Sequence, residues 1–93
     1  MTVRVLLPAT LRPFAQGRGL IELPGAPATV AEALEALWSV CPAARDRVLT
    51  ETGHVREHVQ VFVGPESIRY LGGLATAVSP DAELSIVPAV SGG

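Results

Sequence analysis

The chain contains no lysine: its seven positive residues are all arginine, spread from Arg4 to Arg69 without a run. These 93 residues therefore offer no side-chain amine for an isopeptide bond, which excludes polymers of the chain linked through lysines of its own. A formal charge of -2 with scattered arginines also lacks the clustered basic face that phosphate backbones select, so no nucleic-acid partner is expected. The single cysteine, Cys41, cannot close an internal disulfide, in keeping with a reducing compartment. No apolar stretch approaches the roughly 20 residues of a bilayer span, and Met1-Thr2-Val3-Arg4 begins a strand pattern without a basic, apolar and cleavable segment in series. The expectation is a soluble cytoplasmic protein with no membrane partner. Two histidines in one short stretch assemble no serine, histidine and acid triad, so no catalytic residue is expected within the chain.

What is present is an apolar fraction of 48% against 17% charged residues, the balance of a folded globule, at a length that supports one domain. Val3, Val5 and Leu7 alternate with Arg4 and Leu6 in a first strand that Pro8 ends. A glycine-bounded turn over 14–18 leads to a second strand, Leu20 to Leu23, and the two suggest a hairpin. Thr29-Val30-Ala31-Glu32 reads as a capping box, Thr29 accepting a backbone hydrogen bond and Glu32 returning one. Val30, Ala33, Leu34, Leu37, Trp38 and Cys41 then form one helical apolar stripe, stopped near Cys41 by Pro42. Ala43 to Val48 adds a short turn of helix, and Thr50 to His58 is a polar surface loop.

Val59-Gln60-Val61-Phe62-Val63 has the period-two valines of a half-buried strand. Gly64-Pro65-Glu66 turns it into a short fourth strand, Ser67 to Leu71, and Glu83 to Val87 forms the last. The order is strand, strand, helix, strand, strand, strand: an α+β mixed sheet of four to five strands with one main helix over one face. Val3, Val5, Val59, Val61, Val63, Leu84 and Ile86 form the expected inward set. Gln60, Phe62, Ser85 and Val87 point to the opposite face, where Phe62 and Val87 make an apolar patch for a partner.

Three features invite over-reading. His54-Val55-Arg56-Glu57-His58 matches an inverted zinc-peptidase pattern, but that chemistry needs both histidines on one helix turn and a carboxylate from a second helix, whereas a strand starts at Val59. No metal site is expected. Gly72-Gly73 lacks the spacing of a phosphate-cradling loop and reads as a turn, and Cys41, with no adjacent basic residue, reads as an inert core thiol.

The run Leu84-Ser85-Ile86-Val87-Pro88-Ala89-Val90-Ser91 passes into Gly92-Gly93, and residues 88–93 read as a flexible tail after a single domain. Glycines without a β-carbon can thread a channel that other residues would block. A carboxylate is a poor electrophile at neutral pH, so a presented Gly93 carboxylate makes chemical sense if a partner first converts it to an acyl-adenylate. Sulfide, a thiol or an amine could then attack.

The strand order, the capped helix and the Gly-Gly end together resemble the ubiquitin-like β-grasp sulfur carriers of the ThiS/MoaD family over essentially the whole chain. Arg69-Tyr70-Leu71-Gly72-Gly73-Leu74-Ala75-Thr76-Ala77, Ile86 to Gly93 and the strand Val59 to Val63 look most like the thiocarboxylate carriers of cysteine biosynthesis. Ser79-Pro80-Asp81-Ala82-Glu83 departs from the Asp-Gly-Asp turn usual there. The resemblance implies Gly93 as the point of adenylation and thiocarboxylate formation. It places tail recognition at Gly92, Ser91 and Val90, and a partner surface at Phe62, Val87, Leu71, Gly72, Gly73 and Leu74. No cofactor is implied on this chain. ATP would be used by a ubiquitin-activating-type adenylyltransferase and sulfurtransferase, pyridoxal phosphate by a cysteine synthase accepting the sulfur, and a metallopeptidase would release the product. The same features also fit the small subunit of molybdopterin synthase, a carrier for another sulfur-containing metabolite, or a ubiquitin-like protein modifier joined to target lysines.

Overall fold

In the computed structural model, which describes residues 2–88, alternation sets the first pairing. Strand β1, Arg4–Leu6, buries Val5 and exposes its neighbours, and β2, Leu20–Glu22, does the same with Ile21. The two pair antiparallel with Val5 opposite Ile21, as the expected hairpin. Their connection holds a 3₁₀ turn, Arg12–Ala15, closed by Gln16 in the left-handed region at φ 58°.

The main helix α1, Val30–Val40, begins where the capping residues place it. Thr29 Oγ1 accepts from the Glu32 N–H at 3.2 Å. The return bond differs from the expected box: Glu32 Oε1 accepts from the N–H of Ala28 at 3.0 Å, one residue before the cap. The bridge between Thr29 and Ala77 is made by the Val30 N–H to Thr76 O and the Val78 N–H to Ala28 O, so it uses neither the Ala28 nor the Thr29 N–H, and the carboxylate satisfies the former. Cys41, at φ -137° and ψ 77°, leaves helical geometry as a residue before proline must. A 3₁₀ turn, Pro42–Ala44, and one helical turn α2, Arg45–Val48, follow.

Strand β3 spans Val59–Val63 as expected, but β4 is only Glu66–Ser67. Gly64 at φ 58° followed by Pro65 supplies the positive-then-fixed backbone of a tight hairpin turn. The expected fourth strand through Leu71 stops because Ser67 Oγ accepts from the Arg69 N–H at 3.3 Å, folding Ile68–Tyr70 into a 3₁₀ turn. Gly73 at φ 62° starts another, Gly73–Ala75, where a side chain would be strained. Ser79 to Ala82 then closes a turn through Ala82 N–H to Ser79 O at 3.0 Å, with Pro80 at its second position, so the departure from the Asp-Gly-Asp pattern still makes a turn.

Strand β5, Glu83–Pro88, is one residue longer than expected, since Pro88 pairs with Val59. The sheet order is β2-β1-β5-β3-β4, with β5 parallel to β1 and antiparallel to β3. This is the β-grasp architecture, a mixed sheet covered on one face by α1. Val5, Ile21, Val30, Leu34, Leu37, Val61 and Leu84 share one core and are each 1% exposed or less. Of the expected inward set only Val63 departs, being half-buried beside the Gly64 turn. Among the described residues no helix is long and apolar enough to cross a membrane.

Candidate functional site

The strand that leads to the chain's end lies in the middle of the sheet. β5 is bonded on both sides, so its last described residue, Pro88, is fixed against β3 rather than hanging from an edge. Pro88 has no N–H and a locked φ, and it holds Val87 extended before it. The tail residues Val90, Ser91, Gly92 and Gly93 lie outside the described residues.

The register writes a pattern on the sheet face opposite α1. Arg4 stands between Glu22 and Glu83, a charged row at the end far from Pro88. The next row, towards Pro88, is Leu20, Leu6, Ser85 and Phe62, followed by Val87 opposite Gln60. Leu6, Leu20 and Val87 are 38%, 46% and 41% exposed, far more than such side chains hold in a sheet packed on both faces. Phe62 is half-buried rather than fully exposed, flanked by Ser85 on β5 and Ser67 on β4. The expected pair of apolar residues is thus part of a larger patch. Leu6 and Leu20 are its unassigned members, and extending the period-two reading to β2 would have found Leu20.

The other part of the expected partner surface lies elsewhere. Gly73–Ala75 packs against α1, and Leu74 is partly buried against the core. Leu71, at 42% exposed, and Tyr70, at 83%, face solvent beside them. Gly72 donates its N–H to Thr76 Oγ1 at 3.0 Å, so this segment is a tied turn on the helix side, separate from the Phe62 and Val87 face.

The remaining chemistry-bearing residues are accounted for locally. His54 Nδ1 lies 2.9 Å from Thr52 Oγ1 in the loop before β3, and no group of three metal-ligating side chains converges among the described residues. Cys41 is 2% exposed, and its Sγ donates to Leu37 O at 3.4 Å. Burial pushes the thiol above its ordinary range, while the Arg18 guanidinium pulls the other way by a smaller amount. That arginine, distant in sequence, is the basic neighbour the linear reading did not see. Burial still dominates and the thiol stays protonated.

A β-grasp sheet with one apolar, uncovered half-face beside the exit of its central strand defines a ubiquitin-like domain. The chain belongs to the ThiS family, whose model matches residues 5–93. It is 33% identical over 96 residues, covering all of both chains, to the sulfur carrier protein CysO of Mycobacterium tuberculosis. Among solved structures, it matches a chain in the BexX/CysO complex of Amycolatopsis orientalis with a TM-score of 0.87 and 33% identity, over 98% of this chain and 99% of that one. It matches SAMP1 of Haloferax volcanii with a TM-score of 0.83 and 31% identity over 100% of both. The resemblance to ubiquitin-like sulfur carriers read from the sequence therefore holds in family and in fold.

Proposed function

We propose that this chain is a sulfur carrier, a co-substrate rather than an enzyme, working in the cytoplasm with Gly93 as its covalent attachment point. The observation that carries the reading is membership of the ThiS family across residues 5–93, a match that runs through Gly92-Gly93. In the cycle, the Gly93 carboxylate attacks the α-phosphate of ATP on an adenylating partner and pyrophosphate leaves. Hydrosulfide then displaces AMP to leave a thiocarboxylate. The likeness to CysO supports a pyridoxal-phosphate-dependent cysteine synthase as acceptor, with the cysteine formed on Gly93 released by a metallopeptidase. Fixing Pro88 at the sheet centre gives each partner the same starting point for the tail, and the Leu6, Leu20, Phe62 and Val87 face is the surface on which partners would align.

The test is intact mass after incubation with the adenylating enzyme, ATP and sulfide. A gain equal to replacing one oxygen by sulfur is expected, and deleting Gly93 abolishes it with the melting temperature unchanged. An unchanged mass, with an enzyme shown to be active on its own carrier, sinks the reading. The likeness to SAMP1, named a small archaeal modifier protein, favours one second reading, conjugation of Gly93 to lysines of other proteins. A ladder of conjugates on a denaturing gel, lost on deletion of Gly93, would identify it.

A further inference from the structure

The helix-side end of the sheet, below Pro88, holds a groove of about 270 Å³. Its walls are Leu11, Phe14, Val59 and Pro88, and Arg47 and His58 stand at its rim. It opens into a second, more polar depression that shares Phe14, Arg47 and His58 and adds Arg56 and Asp46. The cations are held in place. The Arg47 guanidinium carbon lies 5.1 Å from the centroid of the Phe14 ring, and Arg56 donates from Nε to Asp46 O at 2.7 Å. Asp46, the one acid of the depression, has its carboxylate 3.5 Å from Arg45. Stacking on the ring takes up one face of the Arg47 guanidinium and leaves its N–H edges free, the geometry that accepts a carboxylate in two parallel hydrogen bonds. A positive rim on a chain of net charge -2 is a local inversion of sign.

We propose that this groove docks an acidic segment of a partner polypeptide. An apolar side chain of the segment seats between Phe14 and Pro88, and flanking carboxylates meet Arg47 and Arg56. Charge complementarity selects the occupant: a free anion would satisfy the arginines and leave the apolar walls wet, and a neutral apolar segment would leave the cations without counter-charges. Continuity supports it as well, because Pro88, a wall of the groove, is also the end of the central strand β5. The proposal rests on the carrier reading for the identity of that partner, and the groove itself can be tested without it.

The experiment is an amide-resolved NMR titration of the full chain with a synthetic peptide of two leucines flanked by aspartates. The same peptide with lysines in place of aspartates, and inorganic phosphate, serve as comparisons. Shifts are expected at Leu11, Phe14, Arg47, His58 and Val59 with the acidic peptide alone, weakening as salt screens the pair. Exposed Arg47 changed to glutamate (Arg47→Glu) should weaken binding about tenfold, with melting lowered by no more than a few degrees from loss of the Phe14 stack, and Arg56→Gln less. Equal shifts with the lysine peptide, the same response to phosphate, no response, or shifts confined to Leu6, Leu20, Phe62 and Val87 would each overturn the proposal. Failure of the parent chain to gain sulfur in the mass experiment would instead count against the carrier reading, leaving the titration to decide the groove.

Discussion

At the scale of single residues, Cys41 is the side chain whose chemistry and position pull furthest apart. A thiol is the obvious suspect in a sulfur-handling chain, yet this one is sealed in the core, bonded to Leu37 O and pushed by burial towards its neutral form. Changing Cys41 to alanine is expected to leave sulfur loading intact by mass, and loss of loading in a variant with a native circular dichroism spectrum would return the thiol to the reaction. The same shift carries a sign for stability. The folded thiol titrates above the unfolded one, so both states are protonated at neutral pH and the group is neutral in its effect there. As pH rises from about 8.5, where an unfolded thiol ionises, the unfolded state is favoured progressively until the folded thiol also ionises. Urea midpoints at pH 7 and pH 10 should therefore fall further for the parent than for Cys41→Ala. A pH dependence identical in the two chains would show that the thiol is not held neutral. The burial was legible from the helical stripe, but the proximity of Arg18 was not, since tertiary folding alone brings the β1–β2 connection against the end of α1.

Among the elements, α1 shows how a local signal survives and how its details shift. Thr29, Val30 and Pro42 fix the start and stop of the helix through capping and proline sterics, which depend on a few adjacent residues and so are readable in one dimension. The Glu32 carboxylate takes the Ala28 N–H where the chain enters the helix along the bridge between Thr29 and Ala77, a contact between distant segments that is not readable in one dimension. Thr29→Ala removes only the side-chain acceptor, leaving that backbone bridge. It should cost about 1 kcal/mol, lowering the melting temperature by roughly 4–8 °C in a domain of this size, checked by thermal circular dichroism. A loss within error would mean that Glu32 and the bridge alone hold the first turn. The overestimated β4 teaches the same division: Ile68-Arg69-Tyr70-Leu71 after Ser67 looks like a strand, and a single hydroxyl accepting from the Arg69 N–H goes with a 3₁₀ turn instead.

For the whole molecule, the decisive property is the sheet order, because it joins the core and the outer face in one central strand that ends at Pro88. Period-two patterns gave which side of β3 and β5 faces inward, but only the register β2-β1-β5-β3-β4 shows that Leu20, Leu6, Phe62 and Val87 form one patch beside Pro88 while Arg4, Glu22 and Glu83 occupy the far half. If the partner of the proposed cycle docks on that patch, the apolar side chains exposed there give up water at about 25 cal/mol for each square ångström covered. A glutamate at each of two positions (Leu6→Glu with Leu20→Glu) puts charges where such a contact must be dry. Because both side chains point away from the core, the fold should tolerate the change, with melting shifted by no more than a few degrees. Sulfur loading by the adenylating enzyme should fall at least tenfold in kcat/KM, which at about 1.4 kcal/mol is a modest demand on two buried charges. Reversing the charged half instead, with Glu22→Arg, should leave loading within about twofold, as expected of an exposed charge outside the contact. If both variants load like the parent, partners approach from another side and the groove beneath Pro88 becomes the principal docking surface. If both fail equally, the apolar row has no special part in loading, and overall charge is not the cause either, because the two variants shift the net charge of -2 in opposite directions.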